Sequence, residues 1–182
     1  VRAKSSNRII KLSAHTVIKN GSPEVIFGIN GKFNIDKLLA IYNWIPHNWL
    51  SGNSLWNISV AVPYKPGNYL LHVNADSQLK GVAIAASKVV SKPAIKPLPV
   101  SLSIDVLDDN GLHIDLNSKN LLHVYALDNS TGQIDFSVTS KLISGKGSFA
   151  RNLDRNTEIK LNLDKLDLYS LLASDENKRG SK

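Results

Sequence analysis

Histidine and carboxylate side chains are the groups in this sequence that could hold a metal or transfer a proton. The five histidines are His15, His47, His72, His113 and His123, and no two of them form a His-x-His or His-x-x-x-His pair. His113 and His123 fall on the polar sides of neighbouring predicted strands, where they could meet across a hairpin with Asp115 as the nearest further ligand. This spacing does not supply the ligand set of a zinc site, so we predict no metal.

Catalytic patterns are also missing from the sequence. Asp108 and Asp109 are adjacent in a predicted turn, where carboxylates cap backbone groups, whereas a glycosidase pair needs two acids that face each other across a cleft. The chain contains no cysteine, no Gly-x-Ser-x-Gly, no phosphate-binding loop and no Gly-x-Gly-x-x-Gly. We therefore predict no catalytic residues, no cofactor and no enzymatic activity.

The composition indicates a folded, basic protein. The chain has 182 residues, of which 42% are apolar, and a net charge of +7. The basic residues are scattered, which favours a solvated basic surface and no nucleic-acid partner. The sequence contains no window of about 18 uninterrupted apolar residues, so no membrane span is predicted. The lack of methionine, with the start at Val1, indicates a piece cut from a longer chain.

Alternation of apolar and polar residues dominates the chain and is typical of half-buried strands. The alternating runs lie at 55–62, 69–75, 101–106, 112–116, 122–126, 134–138 and 159–163. Segments 108–111, 128–132 and 144–147 are rich in Asn, Asp, Ser and Gly and are predicted to be the joints between strands. Closely spaced strands with tight turns predict an antiparallel meander.

Helix is predicted at two places only. Residues 34–46 have Asn34 as a candidate N-cap, a Leu-rich face and Pro46 as the stop. Residues 164–174 form a weaker candidate, in which a strand turns into a helical end.

Residues 75–106 contain an unusual step between two strands. Gly81 and the alanines after it permit close backbone approach, and a connector rich in Lys and Pro follows at 88–99. Proline has no N–H for a central ladder, so we expect this connector to lie outside the sheet with solvated lysines.

Three tryptophans, Trp44, Trp49 and Trp56, lie close together in the sequence. We expect these rings to plug one end of a curled sheet. The alternative is a stacking platform for a sugar or a base.

The segments around 50–56, 76–84 and 92–100 resemble the YhdP branch of the AsmA-like proteins of Gram-negative envelopes. The resemblance rests on Leu50, Ser51, Gly52 and Trp56, then on Asp76, Leu79, Gly81 and Ile84, and then on Lys92, Pro93, Pro97, Leu98 and Val100. The Leu-Asp alternation of 159–172 is similar to a further family segment, whereas "AASKVV" departs from the family's usual Pro-rich step. The resemblance covers about residues 50–172, and residues 1–49 are compatible but uninformative.

The resemblance, together with the alternation, implies a mainly β fold. We expect an elongated, twisted and curled antiparallel sheet with an apolar concave face and one or two short helices. Residues 1–182 would form one periplasmic segment of a longer chain, with strands and a short helix in 1–49, the family-like β region in 50–172 and a disordered tail in 173–182.

The resemblance further implies a periplasm-spanning, non-catalytic protein that carries phospholipid between the inner and outer membranes along an apolar β groove. Phospholipid acyl chains are the expected partner, and the parent chain would be held in the inner membrane of a Gram-negative bacterium by an N-terminal anchor that is missing here. The predicted lipid-binding residues are those on the apolar sides of the later strands: Ile114, Leu116, Ile134, Phe136, Val138, Ile159, Leu161 and Leu163.

Two other functions stay open from the sequence. The first is a structural or protein-binding β module of the cell envelope whose apolar faces close into a core. The second, more distant, is an enzyme or a sugar-binding domain built around the tryptophans.

Overall fold

The structure is a computed structural model that describes residues 2–5, 8–39, 49–65, 69–85, 91–108, 111–119, 121–128, 132–150 and 160–169. The first strands are β1 (Arg2–Ser5), β2 (Arg8–Lys19), β3 (Ser22–Asn34), β4 (Leu50–Pro63), β5 (Leu71–Ser77), β6 (Val82–Ala85) and β7 (Ser91–Lys92). The later strands are β8 (Val100–Val106), β9 (Leu112–Ser118), β10 (Leu122–Asp128), β11 (Gln133–Ser140), β12 (Ile143–Ala150) and β13 (Lys160–Leu166). One helix, α1 (Ile35–Leu39), lies between β3 and β4.

The strands form an antiparallel sheet that does not close. Its order is β1-β2-β3-β4-β5-β8-β9-β10-β11-β12-β13, so neighbours in sequence are neighbours in space except where β6 and β7 intervene. These two short strands pair with each other, and β6 also pairs with the start of β4. The predicted antiparallel meander is therefore confirmed.

One predicted joint is wrong. Residues 144–147 do not form a turn but lie within β12, where Gly145 and Gly147 pair with β11 on one side and β13 on the other. The turn comes earlier, where the Ser140 hydroxyl accepts hydrogen bonds from the N–H groups of Leu142 (3.2 Å) and Ile143 (3.0 Å). The serine hydroxyl satisfies backbone N–H groups of the turn, so the turn forms without a glycine.

The first helix begins where the sequence predicts. The Asn34 side chain accepts a hydrogen bond of 2.8 Å from the Lys37 N–H, which is the N-cap interaction, and the rest of the predicted helix, 40–46, lies outside the described residues. The second helix does not begin at residue 164, because Lys165 and Leu166 still pair with β12. Helical backbone starts at Leu168, and residues from 170 onward lie outside the described part of the chain.

The sheet has a small core for its size. The buried apolar residues among those described are Ile35, Ala61, Ala75, Val82 and Leu142. The chain has an accessible surface of 12961 Å², whereas a compact protein of this mass exposes about 8,700 Å². Among the described residues, much of the apolar surface of the strands is therefore not enclosed in a core.

Candidate functional site

Two unbroken rows of apolar or glycine residues cross one face of the sheet. Residues that pair directly across antiparallel strands lie on the same face, so the pairing register defines each row. The row through Phe136 consists of Ala14, Phe27, Val60, Val73, Ile104, Ile114, Ala126, Phe136, Gly147 and Leu161. The row through Val138 consists of Leu12, Ile29, Ile58, Ala75, Leu102, Leu116, Val124, Val138, Gly145 and Leu163. We call this surface the apolar face.

The apolar face is long, and none of the described residues forms a layer over it. Its rows cross ten strands, and nine steps of about 4.8 Å make it about 43 Å long. Ala75 and Gly145 are the two members of the rows that are buried among the described residues. The central members are half-buried, and the outer ones are more open: Phe27 is 45% exposed and Leu161 is 53% exposed. Between the layers of a β-sandwich such side chains would be fully enclosed.

Seven of the eight predicted lipid-binding residues lie on the apolar face. Ile114, Phe136 and Leu161 belong to one row, and Leu116, Val138 and Leu163 belong to the other. Ile134 lies on the same face one row further out, opposite Phe149, and the rings of Phe136 and Phe149 are 5.8 Å apart. Ile159 lies outside the described residues. The pairing register places these seven residues on one face. That they bind lipid stays a prediction.

The opposite face, which we call the polar face, carries most of the ionisable side chains of the sheet. His72 Nδ1 lies 2.5 Å from Asp105 Oδ1, and His123 Nε2 lies 3.1 Å from Asp115 Oδ1. His113 and His123 do not face each other, because the register sets His113 opposite Leu127 and His123 opposite Asn117. Among the described residues, no group of three or more His, Asp or Glu is placed to hold a metal ion.

A hydrogen-bonded chain of ionisable groups joins β2, β3 and the segment just before β5. Tyr69 donates a 2.6 Å hydrogen bond to the buried Glu24 carboxylate, and Lys19 donates one of 3.2 Å to the Tyr69 hydroxyl. The bond to Glu24 raises the pKa of Tyr69 above its ordinary value of 10.0. The bond to Tyr69 raises the pKa of Lys19, whose ammonium also lies 5.5 Å from the centre of the Tyr69 ring.

The β6–β7 pair meets β4 at a tight backbone contact, which we call the glycine corner. Gly52 and Gly81 both have positive φ, of 112° and 96°, and the Gly81 carbonyl accepts a 3.0 Å hydrogen bond from Asn53 N–H. A Cβ placed on Gly52 would lie 2.2 Å from the Gly81 oxygen. Glycine is therefore required here both by conformation and by space. The prediction of close backbone approach at Gly81 is confirmed.

The buried side chain of Lys92 stabilises the same region through hydrogen bonds to the backbone. Its side chain is buried, and its ammonium donates to the carbonyls of Leu79 (2.9 Å), Val82 (2.5 Å), Pro93 (3.2 Å) and Lys96 (2.7 Å). Burial lowers the pKa of Lys92, while four carbonyl oxygens around the ammonium favour the charged form.

The Lys/Pro connector is therefore exposed along most of its length but buried at Lys92. The prolines Pro93, Pro97 and Pro99 are exposed, as predicted for a segment outside the sheet. The prediction of solvated lysines is wrong for Lys92 and correct for Lys96, while Lys88 lies outside the described residues. Residue type alone cannot separate a buried lysine from a solvated one.

The residues that carry the family resemblance come together at this corner. Leu50 pairs with Ile84, Ile84 pairs with Lys92, and Leu98 N–H donates to the Gln78 carbonyl over 2.7 Å. The resemblance therefore marks one structural unit, the attachment of β6, β7 and the connector to the sheet.

The tryptophans do not form one described platform. Trp56 lies on the apolar side of β4, opposite Gly31 and Ser77, and Trp49 is 43% exposed at the start of the same strand. Trp44 lies outside the described residues. Neither an end plug nor a stacking platform is tested by these positions.

Clefts among the described residues open on the polar face. One of about 600 Å³ lies over β10–β13, and one of about 700 Å³ lies beside the glycine corner, with Lys32, Asn57, Asp76 and Lys80 among its lining residues. The concavity of the apolar face stays a prediction. None of the helical segments in the described residues has the length and hydropathy of a membrane span.

The fold and its faces define a class of protein: an open, single-layer antiparallel sheet with one continuous apolar face and one polar face. A comparison with sequence models of protein families finds that the YhdP protein family matches residues 1–181. The chain therefore belongs to the YhdP family of bacterial envelope proteins, and the match reaches across residues 1–49, where the sequence motifs were uninformative. No curated protein and no solved structure matches the chain.

Proposed function

We propose that this chain carries phospholipid acyl chains on its apolar face, as a non-catalytic part of a periplasmic protein that connects the inner and outer membranes. The observation that carries the proposal is the pair of apolar rows, which run without a polar residue across ten strands and have no second layer over them in the described part of the chain. Membership in the YhdP family supports an envelope protein of the transport type.

The dimensions of the face suit an acyl chain. A strand of seven residues such as β9 or β10 is about 23 Å long, and one leaflet of a bilayer has a hydrocarbon depth of about 15 Å. An acyl chain can therefore lie along a strand. Movement from one strand to the next meets a similar apolar surface at each step, so no strand holds the lipid much more tightly than its neighbour.

The rest of the proposal concerns the parent protein. Its site of action is the periplasm, with an N-terminal anchor in the inner membrane outside the present sequence. Nucleic acid is not among the proposed partners, because the polar side of the central strands β5, β8 and β9 carries His, Asn, Asp and Ser and no lysine or arginine. The closed core required by the alternative, a self-contained structural module, is absent from the described residues.

Site-specific photocrosslinking tests the proposal. A photoreactive amino acid at Ile114 is presented on the apolar face, and the same amino acid at the adjacent Asp115 is presented on the polar face of β9. After incubation with phospholipid vesicles and irradiation, mass spectrometry should find phospholipid attached at position 114 and little at 115. Equal attachment at both positions, or attachment of protein alone at position 114, would contradict a lipid-carrying face.

A further inference from the structure

The cleft over β10–β13 lies on the polar face, opposite the proposed lipid surface. Two rows of side chains cross it. Tyr125, Ser137, Lys146 and Asn162 pair in succession in the first row. Leu127, Asp135, Ser148 and Lys160 pair in succession in the second. The space between them is about 600 Å³.

The cleft is lined by side chains of different chemistry. The inner strands contribute Asp135 and Ser137 from β11 and Lys146 and Ser148 from β12, and the outer strands contribute Tyr125 on one side and Lys160 with Asn162 on the other. A trough with a ring on one wall and hydroxyl, amide and ammonium groups around it suits a ligand that has an apolar ring face and several polar substituents. A pyranose ring has this character.

Two of the groups are held in place by neighbours outside the cleft. The Asp135 carboxylate accepts a 2.8 Å hydrogen bond from the Gln133 amide. The Tyr125 ring packs against His113 at a centroid distance of 6.2 Å and keeps 38% of its surface exposed. Fixing binding groups before the ligand arrives reduces the loss of side-chain entropy on binding.

The charge of the cleft favours an anion. Lys146 and Lys160 line it, both are exposed, and neither has an ion-pair partner among the described residues. Asp135 is the single carboxylate among the lining residues, so the two ammonium groups outnumber it. A ligand with one carboxylate could contact an ammonium directly while its hydroxyls contact Ser137, Ser148 and Asn162.

We propose that this cleft binds a carboxylate-bearing saccharide. The proposal stands apart from lipid carriage, because the side chains proposed to contact the saccharide come from the polar side of the same strands. Phe136, Gly147 and Leu161 of the apolar rows also line the cleft but are given no part in binding the saccharide. The chain would then contact an acidic glycan with one face while its other face remains available.

The test is a titration of the whole chain followed by amide NMR and calorimetry. The probes are a glucuronic acid–N-acetylglucosamine disaccharide, its uncharged counterpart diacetylchitobiose, and inorganic phosphate. The acidic disaccharide should shift amide signals of β11 and β12 and bind about tenfold more tightly than the neutral one, a difference of about 1.4 kcal/mol. Lys146→Gln with Lys160→Gln should abolish that preference. Tyr125→Ser should weaken both disaccharides.

The control is the double variant Lys119→Gln and Lys141→Gln, which removes two exposed lysines elsewhere and should bind like the original chain. An unchanged amide spectrum of each free variant establishes that it is folded. Absence of disaccharide binding, or binding unaffected by the cleft variants, overturns the proposal. Inorganic phosphate competing as well as the disaccharide overturns it too, since that result identifies a general anion patch.

Discussion

At the scale of single residues, Lys92 is the clearest case of a charge used for structure. Removing an ammonium from water is costly unless its donors are paired, and here four carbonyl oxygens surround it. Those carbonyls belong to the turn before β6, to β6 itself and to the connector. One side chain therefore joins these three pieces of backbone, in addition to the hydrogen bonds between β6 and β7.

Lys92→Met should destabilise the chain, because the methionine fills the space but leaves the Val82 carbonyl and its neighbours without their donor. We expect a loss of about 1–3 kcal/mol in the free energy of unfolding, measured by urea denaturation. Lys96→Met, in the exposed part of the same connector, is the matched control and should change stability little. Equal effects of the two substitutions would show that the buried ammonium is not a fastening group.

The Tyr69 hydroxyl should make stability fall at alkaline pH. Its pKa is raised in the folded chain by the bond to Glu24, so the folded state holds this proton more tightly than the unfolded state does. The contribution is then fully present below the unfolded pKa of 10.0 and is lost as the pH rises through the folded pKa. Lys19, whose pKa is also raised, acts in the same direction.

Urea melts between about pH 8 and about pH 11 test this linkage. Tyr69→Phe should make the alkaline decline shallower, and Tyr64→Phe, at a tyrosine that is 76% exposed, should leave it unchanged. A decline of the same steepness in the original chain and in Tyr69→Phe would rule out this tyrosine as a cause.

At the scale of elements, the alternation of apolar and polar residues predicts the strands, and glycine residues make the glycine corner possible. The period-2 pattern locates most strands from sequence because one face is apolar and the other polar, which fixes both position and register. It fails at 144–147, where Gly145 and Gly147 have the composition of a turn. In the structure they leave room for β13 and for the Phe136 ring, since a Cβ on Gly147 would lie 2.6 Å from Phe136 Cζ. That requirement comes from neighbouring strands, so a local pattern cannot reveal it.

Gly52→Ala should loosen the attachment of β6 to β4. The substitution demands a strained backbone angle and a clash with the Gly81 carbonyl, with an expected cost of about 1–3 kcal/mol. Hydrogen exchange should accelerate at the Asn53 N–H, which bonds to Gly81, while the amides of β9 and β10 keep their protection. Ser51→Ala, at the exposed neighbouring residue, is the control. Unchanged protection at Asn53 would contradict the role given to the glycine corner.

At the scale of the whole molecule, the important property is that no second layer covers the apolar face within the residues that the structure describes. Alternation identifies Phe136 and Ile114 as apolar-side residues from sequence. The same alternation occurs in a sandwich, a barrel and an open sheet, so it does not distinguish between them. The difference lies in what covers that side, and this depends on strand order and on long-range packing. Membership in the YhdP family is what connects an open face of this kind to the bacterial envelope.

The most direct test of the open face is Phe136→Asp, with Ser137→Asp on the polar face of the same strand as its control. In a closed core, loss of the ring alone would cost about 3–5 kcal/mol, and the buried carboxylate would add to that. On an open face water reaches the carboxylate, so we expect a cooperative urea melt with a loss of about 1–2 kcal/mol. Capture of a photoactivatable phospholipid should fall well below that of the original chain and of Ser137→Asp. Loss of the cooperative melt would contradict the open face, and a folded Phe136→Asp variant with undiminished capture would contradict lipid binding there.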